Sequence, residues 1–291
     1  MNFINRFPFL LTFASLLLLI VYSSCSPVAV ILEHQPKFAE KYFEKRIESI
    51  GEKIKNDPNN VKLLQQGVKE LTMYAFGFLM EKANRAILNN YSTGKELQQI
   101  AHQYFIQAID FGERCINHNY KDYPIWISGE NENFKLQPAD IDIELFYWTA
   151  AAYGGAVSSS QGNPTWLIKL PRVGLLLNAV IEKDSLWNSG AALVALITYT
   201  MNNPEISGDR EELARRYFNA SVSASNGSDL GPYIAIAESV SKLNQNKDEF
   251  IKLLNQALDI DINSNPELRL ANIISQKRAE WLLTNVDEFF Y

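Results

Sequence analysis

Three histidines, two cysteines and two short acidic clusters are the residues through which this chain could do chemistry. His34, His102 and His118 lack the close spacing that presents nitrogen ligands to zinc or a general base to a substrate, so no metal site is expected. His102 and His118 read as helix surface or a helix end. There is no nucleophile elbow, phosphate loop or dinucleotide fingerprint, because the glycines are scattered at helix ends and contacts. Asp140-Ile-Asp142-Ile-Glu144 precedes a helical pattern, where carboxylates complement the macrodipole and cap free amides. Asp259-Ile-Asp261-Ile-Asn263 begins like a calcium loop but places Ser264 where glycine is required and Leu270 where a bidentate glutamate is required. It reads instead as a helix end and a turn, with Pro266 opening the last helix. No catalytic residue and no cofactor are expected. Two carboxylates facing each other across a cleft, as in a hydrolase of cell-wall sugars, would be the arrangement that reverses this expectation.

Aromatic residues are the remaining signal. Phe146, Tyr147, Trp148 and Tyr153 crowd one helix, while Trp126, Trp166 and Trp187 fall in or beside connections. Packed core is the default for such residues. The alternative is a ligand passage through the fold, for which Tyr147, Trp148, Tyr153, Trp126 and Trp166 are the candidate lining. Tyr147 and Trp148 are adjacent, so at most one of them faces any cavity. Arg269 and Asn272 share a helical face at three-residue spacing and either lock the last hairpin, the reading adopted, or reach a bound anion.

The amino terminus carries an address. After Arg6 runs an apolar stretch of 16 residues, Phe7 to Tyr22, followed by Ser23, Ser24 and Cys25. A basic start, an apolar run and small residues before a cleavage point are the layout of a signal peptide. Cys25 directly after them matches the acylation site of bacterial lipoproteins, although Tyr22 stands where leucine is usual. The expected division is a lipoprotein signal peptide at 1–24, a tether at 25–35 and a helical domain at 36–291. The rival reading is an uncleaved anchor, for which the run falls short of the roughly 20 residues needed to span a bilayer. Either way the body lies outside the cytoplasm, on the periplasmic face of an envelope membrane. With 27 basic against 33 acidic residues there is no basic excess to attract a nucleic acid. Cys115 lies on an apolar stripe and reads as a buried structural thiol.

What positions these residues is helix throughout. Apolar periodicity predicts helices over 36–55, 61–88, 94–116, 140–158, 171–183, 190–200, 209–224, 231–243, 248–259 and 266–286, with an irregular stretch at 117–138 and no alternating strand pattern. Gly77, between Phe76 and Phe78, is placed to admit a close backbone approach. Four blocks repeat one grammar, a residue followed four positions on by a bulky apolar side chain and seven on by alanine. They are Ala101, Phe105, Ala108; Arg172, Leu176, Ala179; Leu213, Tyr217, Ala220; and Phe250, Leu254, Ala257. Such positions share one helical face, and the small alanine lets a neighbour approach. The alanines recur after 71, 41 and 37 residues, the last two near the tetratricopeptide period of about 34. The expected fold is all-α, a tetratricopeptide-like solenoid of about four hairpins plus flanking helices.

Phe146-Tyr147-Trp148 with its alanine run, Arg216-Tyr-Phe-Asn-Ala220, and Arg269-Leu-Ala-Asn272 through Ala279-Glu-Trp281-Leu-Leu together resemble the T component associated with TRAP transporters, over about 61–290. The resemblance implies a lipid-anchored periplasmic protein that is not an enzyme. It also implies a partner, the solute-binding P component of the transporter, a role in passing a small ligand, hydrophobic ones included, and homo-oligomers, trimers among them, with a channel through each protomer. The chain departs from the family pattern at Tyr153, where a second tryptophan is expected, and at Asn178, where arginine usually precedes the alanine. The acidic Asp-Pro block near the mature amino terminus is missing. A scaffold for envelope assembly that binds extended peptides is the alternative from another class.

Overall fold

A computed structural model describes residues 32–129 and 134–291. Cys25, the apolar run before it and the 25–31 part of the tether lie outside the described residues. The described chain is all-helical and contains no strand. Its helices are α1 (Pro36–Asn56), α2 (Val61–Tyr74), α3 (Glu81–Asn89), α4 (Tyr91–Asn119), α5 (Tyr123–Ser128), α6 (Ile143–Ser159), α7 (Pro164–Leu167), α8 (Leu170–Asp184), α9 (Ala191–Asn202), α10 (Arg210–Ala224), α11 (Gly231–Ile236), α12 (Lys247–Leu258) and α13 (Arg269–Thr284). Among them no helix is long and apolar enough to cross a membrane.

Short polar side chains set the starts. Asn60, Asn90, Asp209 and Asn246 each accept a hydrogen bond from a free first-turn amide, at 3.2, 3.2, 3.0 and 3.1 Å. They stand in the turns before α2, α4, α10 and α12, so the chain reverses where the sequence supplies a cap. The irregular stretch differs from expectation in part: Pro124 fits the first turn of a helix, where its missing N–H is no loss, and α5 forms there. The acidic cluster at 140–144 also differs, since none of its carboxylates caps α6. Buried Asp142 instead accepts from Tyr120 Oη at 2.8 Å, Asp140 pairs with Lys183 at 2.7 Å and Glu144 with Lys69 at 2.6 Å. They tie a connection to its neighbours.

Each long helix packs on the next, and α2 also meets α6 while α9 meets α11 and α11 meets α13. Glycine under an aromatic ring sets three of these contacts. A Cβ on Gly67 would stand 2.8 Å from Phe111, one on Gly155 2.3 Å from Phe105, and one on Gly174 2.2 Å from Tyr199. Each ring therefore occupies the space of an absent side chain, which brings α2 to α4, α4 to α6 and α8 to α9. Gly77 behaves otherwise, because a Cβ there would meet Ile274 at an ordinary 3.8 Å.

Three repeat blocks bury their bulky and small members. Phe105, Ala108, Leu176, Phe250, Leu254 and Ala257 are all fully buried, and Ala179 nearly so. The third block does not follow: Ala220 is exposed and Tyr217 half-buried, while Ala214 and Ser221 are the buried small residues of α10. The helix is turned so that a different stripe meets α9.

Two cores result, one running from Phe43 to Leu196 and one from Ile197 to Leu282, so adjacent residues of α9 serve different cores. A small third cluster joins Leu32 and Ala39 to Ile273. There α13 returns to the beginning of the described chain, where Arg269 pairs with Glu33 at 2.6 Å and Lys277 donates to the Leu32 carbonyl at 2.7 Å. The two ends of the described chain are thus joined.

Cys115 is fully buried on α4, and that burial pushes its thiol up to about 12, well above the ordinary thiol range. The thiolate is the reactive form, so this cysteine should be inert. In a Cys25→Ser protein we expect no alkylation by iodoacetamide at mildly alkaline pH and one equivalent after denaturation in guanidinium. Labelling of the native protein would show that α4 opens locally.

Candidate functional site

A cavity of about 970 Å³ is lined by residues drawn from Phe76 to Tyr291. Two π-helical turns face it. One, Ala75–Met80, joins α2 to α3 and contributes Phe76 and Met80; the other, Ala237–Ser241, follows α11 and contributes Glu238 and Ser239. A π turn widens the helix by one residue and re-aims side chains, a distortion that recurs at functional sites. Here both distortions point at the same void.

Arg278 of α13 links the two. Its Nη2 lies 2.5 Å from Glu238 Oε1 and its Nε 3.2 Å from Oε2, so guanidinium and carboxylate meet fork to fork. Nη1 stands 3.3 Å from Glu81 Oε1, just beyond the first π turn. The side chain is only 14% exposed. Burial alone would lower its pKa, but Glu238 and Glu81 outweigh burial and hold the guanidinium above its ordinary value. Arg278 and Arg85 both lie over the Trp281 ring, at 4.7 and 5.2 Å.

Beyond this wall is a second cavity of about 580 Å³, which shares Glu81 and Ile274 with the first and includes Gly77 in its lining. One further group marks the main cavity. Gln98 of α4 is 9% exposed and its Oε1 has no hydrogen-bond partner.

The aromatic candidates lie elsewhere. Trp126 is buried in the core against Tyr123 and Phe146. Tyr153 is buried too; its hydroxyl donates to Glu113 and accepts from Arg172 Nη1 at 2.8 Å. Tyr147 and Trp148 are half-buried, as adjacency requires on different neighbours: Tyr147 packs on Trp187 at 5.1 Å, and Trp148 lines a pocket of about 310 Å³ with Lys69 and Arg46. Trp166 meets His102 edge-on at 5.1 Å under Lys169. None of the five is among the residues that line the cavity of about 970 Å³.

Asn272 is fully buried and uses both ends of its amide, accepting from Leu230 N at 3.1 Å and donating to the Ser228 carbonyl at 2.8 Å. It fixes the loop that leads into α11. Arg269 holds Asn263 Oδ1 at 2.8 Å besides Glu33. Arg278, Glu81, Glu238 and Gln98 were not singled out by the sequence. The signal available was Ser275 and Arg278 at three-residue spacing on a face otherwise carrying Ile274 and Leu282.

His102 shows what burial does beside the cavity wall. Its Nδ1 is 3.0 Å from Ser159 Oγ, whose proton goes to the Gly155 carbonyl at 2.7 Å, so the imidazole donates from Nδ1. Burial lowers its pKa below the ordinary 6.5, more than a backbone bond at Ala156 restores. Below pH 6.5 the unfolded chain therefore binds the proton first, and stability falls as acid is added. We expect the melting temperature to drop between pH 7 and 5 and His102→Gln to make that drop shallower; an unchanged slope would place the imidazole in water.

With this geometry in hand, a family model described as TRAP transporter T-component matches residues 37–290. The chain belongs to this family. A protein of Treponema pallidum (strain Nichols), described as an uncharacterized protein, is 22% identical over 222 residues, 75% of this chain and 69% of that protein. T components are accessory components of a membrane-associated transport system and do not form an enzyme family.

Proposed function

We propose that this T component is a periplasmic lipoprotein, anchored through Cys25 after removal of 1–24, that docks the solute-binding P component and passes a small ligand through its central cavity. The domain at 36–291 forms a tetratricopeptide-like stack of hairpins, with 25–35 as its tether, and associates into homo-oligomers. Packing of each helix on its next and next-but-one neighbour supports the stack, because hairpins that cannot bury their faces alone do so through adjacent units. The observation that carries the passage is the cavity of about 970 Å³ with a second of about 580 Å³ behind a shared wall. This route runs past Arg278 rather than past Tyr147, Trp148 and Trp166. A scaffold for extended peptides has no comparable support in a transporter-component family.

The test uses the full chain in its own membranes. A carboxy-terminally tagged protein is cross-linked, solubilised and recovered, and a TRAP solute-binding protein is expected among the products. Its absence, in cells that express a matching transporter, sinks the docking. Cys25→Ser is expected to release the chain into the aqueous fraction; retention in the membrane sinks the lipid anchor.

A further inference from the structure

We infer that the outer face of the first half of α1 lies on an anionic phospholipid surface, a second point of attachment beside the anchor; this rests on the reading of Cys25 as the lipidated residue. Cys25 stands seven residues before Leu32, where the described chain begins, and seven residues span at most about 25 Å. The start of α1 is thereby kept close to the lipid headgroups. Its outer face carries Lys37, Phe38, Lys41, Tyr42 and Lys45, all exposed, at the three- and four-residue spacing that lines side chains along one side of a helix. The opposite side is the buried row Ala39, Phe43, Ile47, Ile50 and Ile54, through which α1 packs on the body. The exposed row cannot turn inward without undoing that packing.

Charge and ring placement select the partner. Lys37, Lys41 and Lys45 pair with no carboxylate among the described residues, because the acids beside them are engaged elsewhere: Glu40 with Lys82, and Glu44 as acceptor from Tyr74 Oη at 3.1 Å. Exposed acids join this face only from Glu48 onward, with Glu52 a turn further, so its cationic end is the end nearest the anchor. Between the lysines Phe38 and Tyr42 are 57% and 40% exposed, one turn apart. Aromatic rings settle at the headgroup level of a bilayer, while lysine stems lie along apolar surface and keep their ammonium groups among phosphates. The chain as a whole carries a net charge of −6 and is repelled by an anionic bilayer, so it approaches where its unpaired cations are bunched. A second copy meeting this face with its own by two-fold symmetry would set lysine against lysine.

The test places a fluorescent label on the face. Full-length protein carrying Phe38→Cys is purified from membranes, labelled with a nitrobenzoxadiazole maleimide and reconstituted into vesicles of phosphatidylcholine alone or mixed in equal parts with phosphatidylglycerol. Acylated Cys25 offers no thiol, and Cys115 is buried. In the mixed vesicles, nitroxide-bearing lipid is expected to quench this label about threefold or more above one introduced by Leu186→Cys, a comparably exposed apolar position on the turn after α8. Lys37→Gln, Lys41→Gln and Lys45→Gln together should weaken the contact about a hundredfold, at about fivefold for each lysine, and high salt should weaken it too. A label at position 38 quenched no more than one at 186, or quenching indifferent to phosphatidylglycerol and to the three lysines, overturns the inference. So does a label shielded from aqueous iodide yet untouched by nitroxide lipid, which would mean that a protein covers the face. Vesicle flotation is read separately. Protein that floats but fails the quenching leaves the anchor standing and removes only this contact, whereas protein that does not float removes both.

Discussion

Arg278→Met is expected to destabilise the protein by about 2–4 kcal/mol, because it removes the guanidinium that Glu238 meets fork to fork and leaves that carboxylate without a cation, while Glu81 keeps Arg85 at 3.3 Å. The figure sits at the lower side of the range for breaking a buried pair, since Glu81 and Glu238 keep 23% and 28% of their side-chain surface in water. Methionine keeps most of the apolar stem, so lost packing over Trp281 contributes little. The control is the double variant Arg278→Met, Glu238→Gln, in which the stranded carboxylate is gone and Glu81 keeps Arg85. It should regain most of the loss. Urea unfolding at unchanged slope measures both, and the non-additivity across the set gives the coupling. If the single substitution costs less than about 0.5 kcal/mol, the bridge is screened by water. The wall between the two cavities would then lie open.

The helices were legible in the sequence because apolar periodicity and Asx caps act locally. Asn60, Asn90, Asp209 and Asn246 announce their helices without reference to the rest of the chain. The repeat grammar was legible where the stripe also meets a neighbour, as at Phe105 and Phe250. It failed at Ala220, because the rotation of α10 is set by Ala214 and Ser221 meeting the adjacent helices, and that is a tertiary choice. The cavity was legible hardly at all. Its lining comes from segments as distant as Phe76 and Tyr291, brought together only when α13 closes on the start of the chain. The two π turns that aim it have no strong local signature, and Gly77 hinted at the first for a different reason. Aromatic density drew attention to Tyr147, Trp148 and Trp166. Large rings are conspicuous in a sequence, yet a void is defined by what small and polar residues leave unfilled.

Phe105 and Gly155 offer the second large effect and test how closely α4 and α6 are fitted. Phe105 is fully buried and rests on Gly155, where a Cβ would approach its ring to 2.3 Å. Phe105→Ala should cost about 3–5 kcal/mol through lost transfer energy and the cavity left behind. Gly155→Ala introduces a methyl group into occupied space. Overpacking of that kind costs about 1–3 kcal/mol, somewhat offset because alanine favours the helix over glycine. The informative variant combines Gly155→Ala with Phe105→Leu. The smaller side chain makes room for the new methyl, so the double variant should be more stable than the sum of the single losses predicts, by about 1 kcal/mol or more. Strict additivity would mean that α4 and α6 move apart to admit the methyl. Because Phe76 packs on Phe105 at 4.7 Å, such a shift would reach the cavity wall, and ligand binding there would change with it. Stability and ligand affinity measured on the same four proteins therefore distinguish a stiff helix pair, in which only stability responds, from a yielding one, in which both do.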